Sequence, residues 1–93
     1  MDEKTLHLIV KGSVQGVGFR WFVVDAARRL DLAGWVKNRD DGAVEIAASG
    51  RSDALTRLEL AVKDGPRGAH VADVVRSEAK SLAPLERPFT ISR

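Results

Sequence analysis

The chain has 93 residues, 44% of them hydrophobic and 30% charged, with a formal net charge of +2. This is the balance of a single soluble domain with one modest core, and it excludes a disordered or membrane-spanning chain. With no cysteine there is neither a disulfide framework nor a thiolate nucleophile, which fits a reducing, cytoplasmic setting.

The first apolar run, Leu8–Val10, is far too short for a signal peptide or a membrane span. Basic residues are scattered without a run of like charge. Three Phe, two Trp and no Tyr offer little for stacking bases, so nucleic acid is not an expected partner.

Thr5–Lys11 alternates, with Leu6, Leu8 and Val10 on one face and His7, Ile9 and Lys11 on the other, and predicts a strand. It leads into VKGSVQGVGFR, where Gly12, Gly16 and Gly18 precede Arg20. Glycines let the backbone turn with positive φ, and the N–H groups of such a turn form a concave anion site. The start of the following helix adds unpaired N–H groups and partial positive charge. Arg20 stands in that first turn, where the helix dipole disfavours a cation by roughly 0.3–1 kcal/mol. An anion held in the loop removes that cost. The loop is therefore read as a site for a phosphate-like group, against the alternative of an ordinary strand-to-helix turn. The spacing matches neither a Walker loop nor the dinucleotide fingerprint.

From Arg20 to Leu30, Phe22, Val23, Ala26, Ala27 and Leu30 share a helical stripe, with Arg28 and Arg29 in the favoured last turn. Gly34 opens a second strand, Trp35–Asn38, and Arg39-Asp40-Asp41-Gly42 makes a hairpin turn. Ala43–Ser49 is a third strand, expected to break at Gly50. Ser52 is the expected N-cap of a helix with Leu55, Leu58, Ala61 and Val62 inward, stopped at Gly65 and Pro66. Ala69 to about Lys80 is a fourth strand, with a bulge expected at Asp73-Val74-Val75. Pro84 and Pro88 flank a connection to a short edge strand, Phe89–Ile91.

The order βαββαβ with right-handed crossovers defines an α+β, ferredoxin-like sandwich: an antiparallel sheet of four to five strands with two helices on one face. Strands one and two then run parallel with strand three between them. The glycine loop and Asn38 emerge at the same sheet edge, two strand spacings or about 10 Å apart.

GSVQGVGFR at 12–20, GWVKNRDDGAVEIAASG at 34–50 and GPRGAHVADV at 65–74 together resemble the acylphosphatase family over nearly the whole chain. The resemblance implies hydrolysis of the carboxyl–phosphate bond of acyl phosphates by water, with no metal and no cofactor. The family's catalytic arginine and asparagine would fall on Arg20 and Asn38. Asp31 departs from the pattern, standing where a glycine usually follows the first helix. The C-terminal PFTISR lacks the aromatic that often closes the last strand.

In that chemistry the backbone of Ser13, Val14, Gln15, Gly16, Val17, Gly18 and Phe19 supplies N–H groups to the phosphate, and Arg20 grips two oxygens through its fork. Asn38 orients water rather than deprotonating it; a turn-forming role is its alternative. Gln15 is expected to brace the loop, with substrate contact as the alternative. Asp40 and Asp41 are explained by the hairpin, and Trp35 and Phe22 by the core. His7 and His70 are strand residues without metal spacing, and Ser13 has no base to activate it.

The expected protein is a small monomeric acylphosphatase whose small-molecule partners are an acyl phosphate and inhibitory inorganic phosphate. Alternatives are a non-catalytic phosphate-binding module of the same fold and a piece of a larger carbamoyl-transfer maturation protein. The stand-alone length disfavours the second.

Overall fold

A computed structural model describes residues 3–77 and 85–92. The elements are β1 (Glu3–Ser13), α1 (Phe19–Arg29), β2 (Ala33–Asn38), β3 (Val44–Arg51), α2 (Ser52–Asp64), β4 (His70–Ser77) and β5 (Thr90–Ile91). They form one sheet in the order β4-β1-β3-β2-β5. Alternate residues of the central strands, Leu6, Leu8 and Val10 with Val36, Val44, Ile46 and Ala48, share one buried cluster with Val23 and Ala27 of α1 and Leu58 and Val62 of α2. Both helices therefore cover the same face.

Four strands pair antiparallel, as the element order implies. The fifth does not: β5 runs parallel to β2, with Trp35 opposite Thr90 and Val36 opposite Ile91, so the sheet is mixed. The reason is direction of travel. His70 of β4 lies opposite Ser13 and Ser77 opposite His7, so β4 ends at the edge remote from the glycine loop. A chain returning from that edge must run with β2. Phe89, just before β5, is fully buried and belongs to the core cluster.

Several boundaries shift for identifiable reasons. Gly50 does not break β3. It pairs with Lys4 inside the strand, its φ of 158° is one that side chains rarely adopt, and a Cβ there would lie 2.5 Å from Leu32 Cδ2. It is a glycine for backbone conformation and for room, without ending the strand. The strand therefore runs directly into α2, Arg51 takes the N-cap position, and Ser52 becomes the first helical residue. The buried stripe of α1 is rotated toward Phe19, Val23, Val24 and Ala27, leaving Phe22, Ala26 and Leu30 only partly covered. That flank is occupied: Arg28, one turn beyond Val24, donates from Nε to the Phe89 carbonyl at 2.8 Å. The β4 irregularity falls at Ala72, since Lys11 opposes Asp73 and Gly12 opposes Val71. The expected continuation of β4 to Lys80, and Pro84, lie outside the described residues.

The unusual residue after α1 proves to occupy a left-handed position. Asp31 has φ 57°, the one non-glycine residue with positive φ among those described. Its carbonyl accepts from Arg87 Nη2 at 3.1 Å, and its carboxylate meets Arg87 Nε at 3.4 Å in an exposed pair. Such a pair contributes little, whereas a Cβ in this conformation is strained. Asp31→Gly is therefore expected to stabilise the fold by about 0.5–1 kcal/mol, read as a higher urea midpoint at unchanged m-value.

Candidate active site

The sheet register sets the site's span. Val10 of β1 and Asn38 of β2 both pair with Val44 of β3, so the three lie in one row across the sheet. Val10 and Val44 face the helices, and cross-strand partners point to the same side. Asn38 therefore rises from the sheet toward the layer that holds the loop and the start of α1. Ser13 is the last residue of β1, opposite His70, and Phe19 and Arg20 open α1. The turn proper runs from Val14 to Gly18.

This turn is pinned at both ends. Val14 and Phe19 are each 1% exposed, their side chains in the core. Only their backbones can face a ligand. Val17 packs against the same core from within the turn. Gly16 and Gly18 have φ 75° and 76°, and a Cβ at either would meet nothing within 4 Å. They are glycines because of the backbone conformation, which turns successive amides inward. The N–H groups of Gln15, Gly16, Val17 and Gly18 donate to no backbone carbonyl among the described residues. Phe22 N–H donates to the Gly18 carbonyl at 3.0 Å, so Phe19, Arg20 and Trp21 keep the unpaired N–H groups of a helix start.

A single side chain joins this turn to the end of β2. Gln15 Nε2 donates to the Arg39 carbonyl at 2.8 Å and to the Ala43 carbonyl at 2.9 Å. The bracing expected of Gln15 is thus bracing against the hairpin that follows Asn38. The hairpin is itself held: Arg39 N–H donates to the Ala43 carbonyl at 2.8 Å, and Asp41 Oδ1 accepts from Ala43 N–H at 3.0 Å. That backbone bond, then the Arg39 guanidinium, lowers the Asp41 pKa. Asp41 is therefore occupied with the turn.

Two groups at this edge lack partners. The Arg20 guanidinium makes no hydrogen bond or ion pair among the described residues, and no acidic residue stands in the first turn of α1. Asn38 Oδ1 is buried with nothing to accept from. Other candidates are spoken for. His7 Nε2 lies 2.6 Å from Glu45 Oε2, and His70 is exposed at the start of β4. No cluster of three His, Asp or Glu able to hold a metal occurs among the described residues. A depression of about 440 Å³ is lined by Lys37, Asn38, Arg39, Asp40, Asp41 and Glu45, and by none of residues 13–20, so it lies beside the loop rather than within it.

Sequence reasoning assigned nothing to one exposed residue at this edge. Trp21, next to Arg20, is 67% exposed. The signal available was an aromatic in the first helical turn that falls off the apolar stripe.

The sequence model of the acylphosphatase family matches residues 6–91. An acylphosphatase of Bacillus subtilis is 53% identical over 76 residues, covering 82% of this chain and 84% of the relative. The crystal structure of an acylphosphatase from Bacillus subtilis superposes with a TM-score of 0.87 at 48% identity, covering 96% of this chain and 98% of the other. One from Coxiella burnetii gives 0.88 at 36% identity, covering 98% and 94%. A fold, a glycine turn and an asparagine-ended strand of this kind define a small phosphohydrolase sandwich. The chain belongs to the acylphosphatase family. None of its described helices is long and apolar enough to cross a membrane.

Removing the Gln15 carboxamide takes one of two donors from each carbonyl, since Gly42 N–H still donates to Arg39 and Arg39 N–H to Ala43. Gln15→Ala is expected to lower stability by about 0.5–1.5 kcal/mol, measured by urea denaturation. It should also raise the inhibition constant for inorganic phosphate, because the turn is no longer tied to the hairpin.

Proposed function

We propose that the turn at residues 13–19, Arg20 and Asn38 form the catalytic site, which hydrolyses the carboxyl–phosphate anhydride of an acyl phosphate. The observation that carries this reading is the pairing of needs at one sheet edge. An unpartnered guanidinium stands in a helix's first turn, and a buried carboxamide oxygen lacks a donor. A phosphoryl group answers the first. A water bound beside it answers the second. Phosphoryl transfer asks mainly for position and charge stabilisation, and both are available here.

In this mechanism the inward amides of the turn and the unpaired N–H groups of α1 hold the phosphoryl oxygens. Arg20 takes two of them through its fork. Asn38 Oδ1 accepts one O–H of a water, which turns the water's lone pair toward phosphorus. The new P–O bond forms from that side as the bond to the acyl oxygen breaks on the opposite side. The electron pair leaves with the carboxylate, a stable anion that needs no general acid. The proton of the attacking water passes to a phosphoryl oxygen, so asparagine never has to act as a base. The reading requires no metal and no cofactor, takes inorganic phosphate as product and competitive inhibitor, and treats the chain as a cytoplasmic monomer.

The test is hydrolysis of acetyl phosphate after EDTA treatment, in the wild type and two variants. Activity should survive the chelator. Arg20→Ala should lower kcat/KM by about a thousandfold or more and weaken phosphate inhibition. Asn38→Ala should lower kcat by about a hundredfold while phosphate inhibition persists. Phosphate binding without turnover in the wild type would instead favour the binding module.

A further inference from the structure

We infer that Trp21 forms a wall of the acyl subsite and selects acyl phosphates whose acyl group is aromatic. This deepens the proposed function and rests on the phosphate lying in the turn. Trp21 is one of three large hydrophobic residues left exposed among those described, with Leu60 and Val75. Scattered exposed apolar residues are ordinary. Position sets Trp21 apart. Leu60 lies far along α2 and Val75 on β4, whereas Trp21 adjoins Arg20 in the first turn of α1.

Its direction follows from helix geometry. Trp21 lies seven residues before Arg28, on nearly the same line along the helix. Arg28 reaches the Phe89 carbonyl on the β2–β5 flank, so Trp21 stands on that flank too. It lies on the side turned away from the buried Phe19, Val23 and Ala27. Helical side chains lean toward the N-terminus, which here is the edge where β2 ends at Asn38. The indole thus overhangs the mouth of the site from the helix layer.

In-line displacement then places the acyl group. Asn38 points up from the sheet, so its water attacks from the sheet side and the leaving carboxylate departs away from it. At that height the substrate meets the start of α1. The Trp21 ring has no stacking or cation partner among the described residues, which leaves a face free for a planar acyl group. A short acyl chain such as acetyl does not extend far enough to use it.

The experiment compares benzoyl phosphate with acetyl phosphate by the ratio of their kcat/KM values. Trp21→Ala, at an exposed helical position, is expected to lower that ratio about three- to tenfold, the usual worth of one aromatic contact. The loss should appear in KM for benzoyl phosphate, and Trp21→Phe should recover most of it. An unchanged ratio overturns the inference. So does a proportional fall for both substrates, which would mean that Trp21 acts by positioning the turn. Failure of the phosphate site is seen separately, as wild-type hydrolysis of both substrates that inorganic phosphate does not inhibit competitively.

Discussion

The two hydrogen bonds from the Gln15 carboxamide to the carbonyls of Arg39 and Ala43 tie the glycine turn to the hairpin that follows Asn38. Sheet register alone leaves β1 and β2 two strand spacings apart, with β3 between them. Val14, Val17 and Phe19 anchor the turn to the core, and Gln15 adds its link to the hairpin beyond β2. Because Gln15 is tied to the residue that follows Asn38, a group cradled by the turn is held in register with the Asn38 side chain. Both carbonyls belong to a hairpin that Asp41 stiffens from its other side. The positioning of the two halves is therefore a property of the fold rather than of the ligand.

That arrangement accepts local costs. A cation in the first turn opposes the helix dipole by roughly 0.3–1 kcal/mol, and an unpaired buried acceptor costs about 1–3 kcal/mol. Two such sites in a domain whose total stability is about 5–15 kcal/mol are a considerable concession. Away from this edge, among the described residues, His7 Nδ1 is likewise buried without a partner, whereas the buried carboxylate is fully paired. Glu59, with 9% of its side chain exposed, is held by the Arg76 guanidinium through contacts of 2.6 to 3.1 Å, and its pKa is lowered accordingly, first by that hydrogen bonding. Local violations of this kind concentrate where function requires them.

The parts of this layout that depend on order and direction are legible in the sequence. A strand, a glycine turn, a helix, a second strand ending in Asn38 and a hairpin force Arg20 and Asn38 to one edge, whatever the details of packing. What the sequence hides depends on contacts between distant segments. Gly50 reads as a break because a strand glycine often marks one, and only its pairing with Lys4 and the nearness of Leu32 show a glycine kept within the strand. The Ser52 cap fails for the same reason, since no turn separates β3 from α2. The direction of β5 depends on the edge at which β4 ends, and the rotation of the α1 stripe on Phe89, remote in sequence. Gln15 could be seen as a brace but not what it braces, because its partners are backbone carbonyls and carry no sequence signature. The exposure of Trp21 was open to reading, since the apolar stripe of α1 leaves it out.

The anchoring of the turn bears on how the site can work at all. Donors stabilise developing charge well only when they are already oriented, because moving them during the reaction would consume the gain. Here Val14 and Phe19 lock the two ends of the turn into the core, Val17 pins its middle, and Gln15 fixes its height above the sheet. The orienting work is completed when the protein folds. In the proposed mechanism, recognition of the phosphoryl end rests on backbone amides, which are insensitive to side-chain identity, and on one guanidinium. A site built this way would be strict about the group being transferred and permissive about what carries it. On the inference drawn for Trp21, discrimination among carriers comes from the rim.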